Sequence, residues 1–281
     1  MGKKVCIMTD MEGTAGVANF EDWCVPTGRN YDLGRQFLAW QVNGAVEGFF
    51  AGGASEVIVV DGHGPCALHA GLIDPRAWYQ RGWFAELWPL CVDKSFDALA
   101  FVGQHAKSRT AYAHLAHSQS FSVLEIRING VAVGEFGQLA MCASELGVRT
   151  IFGAGGQAFT EEAQQLVPGI EAVAVKRGLT SGSGDECTAK TYGKRNLSAI
   201  SLHPQAAAER IRQGAERALN RMAQEPFGLV ALRAPFVVEE WLRATEDASP
   251  LYGCSAPAAT VAEALNAPLN WGPVPKDKRM V

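Results

Sequence analysis

The stretch VCIMTDMEG, residues 5–13, runs from four apolar side chains into Asp10 and Glu12 and closes on Gly13. A near-continuous apolar run of this length reads as a strand buried on both faces, the kind found in parallel sheets. Side chains two apart on a strand point the same way, so Asp10 and Glu12 share one side of its end. Two carboxylates held together repel unless a proton or a cation lies between them, and hard oxygen donors suit a divalent metal. Taken alone the pair admits a second reading, in which one carboxylate caps the next helix and the other is solvated.

The pattern that follows gives the pair a context. A helical spacing covers Tyr31 to Ala51 and stops at Gly52 and Gly53. EVIVVDGHG then predicts a second buried strand, Val57 to Val60, leading into Asp61, Gly62 and His63. A third, Ala98 to Val102, leads into Gly103, Gln104 and His105. Strand, helix and strand with glycine punctuation predict an α/β fold, a mostly parallel sheet flanked by helices. Ligands bind beyond the carboxyl ends of such strands. Three strand ends therefore send Asp10, Glu12, His63 and His105 toward one crevice.

Downstream, VLEIRI and VAVGE flank Asn129-Gly130, a hairpin signal, and Glu135 follows the second arm. QLAMCASELG predicts a helix, VRTIFGAGG a strand, Thr160 to Leu166 a helix and IEAVAVK a strand. The glycines of VRTIFGAGG match neither a dinucleotide fingerprint nor a P-loop. Residues 177–196 are rich in glycine and small polar side chains and read as a connection or an active-site loop. A long helix is expected from His203 to Ala223, strands in FGLVALRAP and FVVEEW, a short helix in AATVAEAL, and a proline-rich tail from Asn266, mobile at its end. This pattern divides the chain into a catalytic α/β domain, 1–176, and a smaller α+β C-terminal domain, 177–281.

Composition narrows the function classes. With 281 residues, 48% hydrophobic and 19% charged, the chain can bury a substantial core. A net charge of -4 leaves no basic footprint for nucleic acid. No apolar run approaches the roughly 18 residues that span a bilayer, and the start carries neither a signal peptide nor a myristoylation motif, so a cytoplasmic protein is expected. The seven cysteines are odd in number and lack a C-x-x-C pair, which favours reduced thiols over disulfides or cysteine-held zinc. Of the six histidines, His203 adjoins Pro204 at a helix start, and His69 and His114 fall in loops where exposure is the default. His117, followed by Ser118, admits a structural role or one in proton transfer.

These motifs resemble, in order, those of the D-aminopeptidase family of dinuclear zinc peptidases. Asp10-Met11-Glu12-Gly13, Asp61-Gly62-His63, Gly103-Gln104-His105-Ala106, His117-Ser118 and the hairpin from Asn129 to Glu135 carry the resemblance, which spans roughly Val5 to Lys176. It implies two zinc ions held by Asp10, Glu12, His63, His105 and Glu135, with His117 as the catalytic residue. It also implies an aminopeptidase acting on short D-amino-acid-containing peptides or aminoacyl amides, and a homo-decamer of two stacked pentamers. Two departures stand out: Gly62 occupies a position where serine is common, and His114 offers a competing histidine before His117. A metal-dependent amidase or phosphoesterase on the same scaffold is the alternative; a small-molecule binder or a structural zinc protein fits less well, because no donor is missing and cysteines are not clustered.

Overall fold

The computed structural model describes residues 2–279. The chain begins with β1 (Lys3–Thr9), α1 (Phe20–Trp23), α2 (Tyr31–Ala51), β2 (Ala54–Asp61), β3 (Trp78–Gln80) and β4 (Ala98–Gln104). It continues through β5 (Val123–Ile128), β6 (Val131–Ala132), α3 (Glu135–Glu145), β7 (Arg149–Gly156), α4 (Gln157–Leu166) and β8 (Glu171–Gly178). The remainder forms α5 (Ala189–Tyr192), β9 (Ala199–Ser201), α6 (Pro204–Met222), β10 (Val238–Leu242), β11 (Leu251–Ser255), α7 (Val261–Asn266) and β12 (Leu269–Pro273).

The apolar runs become the centre of a seven-stranded sheet in the order β3-β2-β1-β4-β7-β8-β9. All its pairings are parallel except β8 with β9. Strands β1 and β4 are buried on both faces, which explains why their sequences do not alternate. One face packs on α2 and α6 through residues such as Val42, Phe49, Ile211 and Leu219. The other packs on α3 and α4 through Phe136, Leu139 and Phe159. Helices on both faces leave the carboxyl ends of the strands as the open edge.

A second, antiparallel sheet runs β12-β11-β10-β5-β6. The hairpin between β5 and β6 turns on Asn129 and Gly130, both at positive φ. The sequence division at 176 cuts across both sheets. Strand β9 joins the first sheet from beyond that point, and β5 and β6 join the second from before it. Helix α6 also covers the first sheet rather than a separate unit.

One strand expectation is corrected. FGLVALRAP is not a strand: it lies irregularly over α3, with the Val230 amide on Ser144 Oγ at 2.9 Å, while Val230 and Leu232 pack on the core. Its apolar character serves packing, not pairing. Within the tail, Leu269 to Pro273 forms β12, paired with β11; the expected mobility falls on the end at 280–281, outside the described residues. Residues 177–196 form a connection. Its Asp185 is gripped by Arg109, and its Tyr192 ring lies 3.5 Å beneath the Arg243 guanidinium.

Candidate metal centre

Strands β1, β2 and β4 end within three residues of Asp10, Glu12, His63 and His105, and α3 begins at Glu135. Three glycines let the strand ends close on one another. The Gly13 amide donates to the Gly103 carbonyl at 2.7 Å, and the Asp10 amide to the Val102 carbonyl at 3.0 Å. A Cβ on Gly103, which sits at φ +81°, would fall 1.9 Å from the Asp10 carbonyl oxygen. On Gly155 it would fall equally close to the Gln104 oxygen, and on Gly13 2.0 Å from that same oxygen. The floor of the site is thus a seam of touching backbones.

Above the seam the donors meet. His63 Nδ1 lies 3.2 Å from Asp10 Oδ1 and 3.3 Å from Glu12 Oε2. His105 Nε2 lies 3.2 Å from Asp10 Oδ2 and 3.5 Å from Glu135 Oε1. Asp10 is therefore shared between the two imidazoles. Each ring turns its other nitrogen to a backbone carbonyl. His63 Nε2 donates to the Cys24 carbonyl at 2.7 Å, His105 Nδ1 to that of Ala106 at 2.9 Å, and His117 Nδ1 to that of Leu115 at 2.8 Å. A carbonyl only accepts, so these contacts keep a proton on the outer nitrogen of each ring and leave the inner one to offer a lone pair once it is deprotonated, as in metal-ligating histidines.

The donor set fits a metal by a second measure. Glu12 Oε2 and His105 Nε2 are buried and make no hydrogen bond. Such orphaned atoms are costly in a folded interior unless an ion completes them. Donor atoms of Asp10, Glu12 and His105 lie within 4.8 Å of one another, and so do those of His105, His117 and Glu135. His105 belongs to both groups. All five expected ligands and His117 are brought together; His114 is not. It is buried rather than exposed, donates from Nε2 to the Ala18 carbonyl at 2.9 Å and does not line the cavity.

The charges of the cluster bias its protons. Burial alone would lower the His63 pKa, but the Glu12 and Asp10 carboxylates outweigh it and push it up to about 12. His105 moves up for the same reasons, against burial, through Glu135 and Asp10. Burial would raise Asp10 and Glu135, but the imidazoles hold Asp10 well below the carboxylate range and Glu135 down to about 2. His117 moves the other way, lowered by burial and then by the His105 charge.

Several supporting residues carry no local sequence signal. Gln104 Nε2 donates to Asp10 Oδ2 at 3.1 Å, and the Gln119 amide donates to Glu135 Oε1 at 2.7 Å. Arg81 clamps the His63 loop through the carbonyls of Asp61, His63 and Gly64, at 2.8–3.0 Å. Asp61 shapes the same loop by accepting from the Ala67 and Leu68 amides. At Gly62 a Cβ would fall 2.4 Å from Met8 Sδ, so the serine common at that position has no room here.

The site opens into a cavity of about 550 Å³. Fold and donor set together define a metal-dependent hydrolase built on an α/β sheet. The sequence pattern of the D-aminopeptidase family matches residues 3–257. A D-aminopeptidase of Bacillus subtilis (strain 168) is 30% identical over 200 residues, 69% of this chain and 70% of that protein. The solved Zn-dependent D-aminopeptidase DppA from Bacillus subtilis, described as a self-compartmentalizing protease, shares the fold with a TM-score of 0.77. The match covers 93% of this chain and 94% of that one at 22% identity. The chain belongs to the D-aminopeptidase family and is a metal-dependent aminopeptidase.

Proposed function

We propose that Asp10, Glu12, His63, His105 and Glu135 hold two zinc ions and that His117 transfers the proton during removal of the N-terminal residue from short D-amino-acid-containing peptides. The observation that carries this reading is the pair of inward-facing, unpartnered donors, Glu12 Oε2 and His105 Nε2, amid mixed carboxylate and imidazole ligands. When bound, the metals polarise the scissile carbonyl and favour ionisation of the attacking water. Asp10, with one oxygen toward His63 and the other toward His105, would contribute a carboxylate on both sides of the donor cluster. His117, neutral and anchored at Nδ1, offers Nε2 to take a proton and pass it to the leaving amine.

Among the described residues no lysine or arginine lines the cavity, which argues against the phosphoesterase alternative. The self-compartmentalizing relative supports a closed homo-oligomer, of which a homo-decamer of two stacked pentamers is the form proposed here. The exposed apolar Trp78 and Ile200, on the opposite edge strands β3 and β9, suit the heterologous contacts that close a ring. Seven free thiols fit a reducing cytoplasm. The test is metal analysis of the purified protein together with paired D- and L-aminoacyl amides. Two zinc per chain and turnover confined to the D series are expected; a zinc-free protein that cleaves either series would overturn the assignment. Sedimentation as a monomer at micromolar concentration would overturn the decamer.

A further inference from the structure

The wall facing the carboxylates is aromatic. Phe20 and Phe121 meet edge to face, with centroids 5.4 Å apart, and both line the cavity beside His117. The Phe121 ring is 4.6 Å and the Phe20 ring 6.5 Å from the His117 ring. Trp88 lines the same cavity. All three rings are only partly buried, and each is held by a different segment. Phe20 opens α1, whose cap Asn19 accepts from the Asp22 amide. Phe121 backs onto Gly193 at the end of α5, and the Trp88 carbonyl accepts from Asn266 of α7 at 2.7 Å. A fixed, partly open aromatic wall costs little ordering when it meets an apolar group.

We propose that Phe20 and Phe121 form an apolar subsite for the side chain of the residue following the scissile bond, so that the enzyme prefers substrates with a large apolar, above all aromatic, residue there. The proposal rests on the reading of His117 as donor to the leaving amine, because that role puts the departing residue against the two rings that flank His117. The cavity volume supports it: about 550 Å³ lies in the range that encloses whole small ligands, far beyond a methyl group. Hydrophobic pockets discriminate about 10–200-fold per methylene. A benzyl side chain against hydrogen at this position is therefore expected to gain at least about tenfold in kcat/KM.

The test compares D-Ala-Gly-amide with D-Ala-Phe-amide, the latter in both configurations of phenylalanine, on the zinc-loaded full chain. Amides are used so that neither substrate brings a free carboxyl end toward the three carboxylates that line the cavity. The expected result is a preference of at least tenfold for the better phenylalanine isomer. Phe20→Ala brings that ratio toward one whatever it does to absolute rates, and Phe20→Leu keeps most of it. A wild-type ratio near one, with both substrates cleaved, overturns the subsite alone. Equal losses on both substrates in Phe20→Ala also overturn it, since they would make the ring a mere support for His117. Failure of the wild type to cleave either amide overturns the peptidase reading itself. If Phe20→Ala does not fold, the wild-type ratio and Phe20→Leu decide.

Discussion

The rings of His105 and His117 lie face to face, 3.9 Å between centroids and 11° from parallel. His105 turns Nε2 toward Asp10 and Glu135, and its positive charge in the metal-free cluster helps keep its neighbour neutral. The stack separates two tasks between two chemically identical side chains.

Replacing His117 with alanine is expected to leave zinc content unchanged while kcat falls by about 10²–10⁴, the usual worth of positioned proton transfer. Metal analysis and steady-state kinetics on one preparation check this. Parallel loss of zinc and turnover would make His117 a ligand, a role its closeness to Glu135 permits.

Arg81 holds the His63 loop through three of its carbonyls and through the Asp61 carboxylate at 3.6 Å. Arg81→Ala should therefore weaken zinc binding by about 10–100-fold, as loss of an outer support does, without changing the fold seen by circular dichroism. Competition with a chelating dye measures the affinity. An unchanged value would show that the loop holds His63 unaided.

Zinc loading should release protons. His63, raised to about 12, and the similarly raised His105 carry protons in the metal-free protein at neutral pH and must lose them to bind metal. Affinity therefore rises with pH through the neutral range and falls in acid. Calorimetry in buffers of different ionisation enthalpy counts the protons; a heat independent of buffer would contradict the protonated cluster.

Lys176 is 4% exposed, its Nζ 3.3 Å from the Val17 carbonyl, and burial lowers its pKa to about 8. A base depressed in this way destabilises the fold while both states are protonated, below about pH 8. The penalty fades as pH rises toward the unfolded value of 10.5. The stability of wild type relative to Lys176→Met should rise between pH 8 and 10.5 by about 1–3 kcal/mol. Urea unfolding of the chelated proteins at both ends of that window measures it.

The parallel sheet and the meeting of donors were legible because both are written locally: β1 and β4 are apolar without alternation, and the ligands follow strands whose ends the fold makes adjacent. What escaped the sequence depends on distant partners. Gln104 meets Asp10 across 94 residues, and Arg81 meets His63 across 18. The mixed parentage of the sheets was hidden because a hairpin motif states its own pairing but not that β5 also pairs with β10. Likewise FGLVALRAP has the hydrophobicity of a strand, and only its place over α3 removes the pairing.

Gly103→Ala would set a methyl against the Asp10 carbonyl and force a left-handed backbone on alanine. A loss of at least about 3 kcal/mol, or failure to fold, is expected, since overpacking and an unfavourable φ add. Thermal unfolding checks it; a near-wild-type midpoint would show that the seam can part.

That seam also limits how the enzyme can be re-engineered. With main chain resting on main chain beneath Asp10, Glu12 and His105, no exchange of side chains on the floor can widen the spacing of the donors without prying strands apart. New selectivity has to be written into the rim, where rings and loop side chains give way without disturbing the chemistry below.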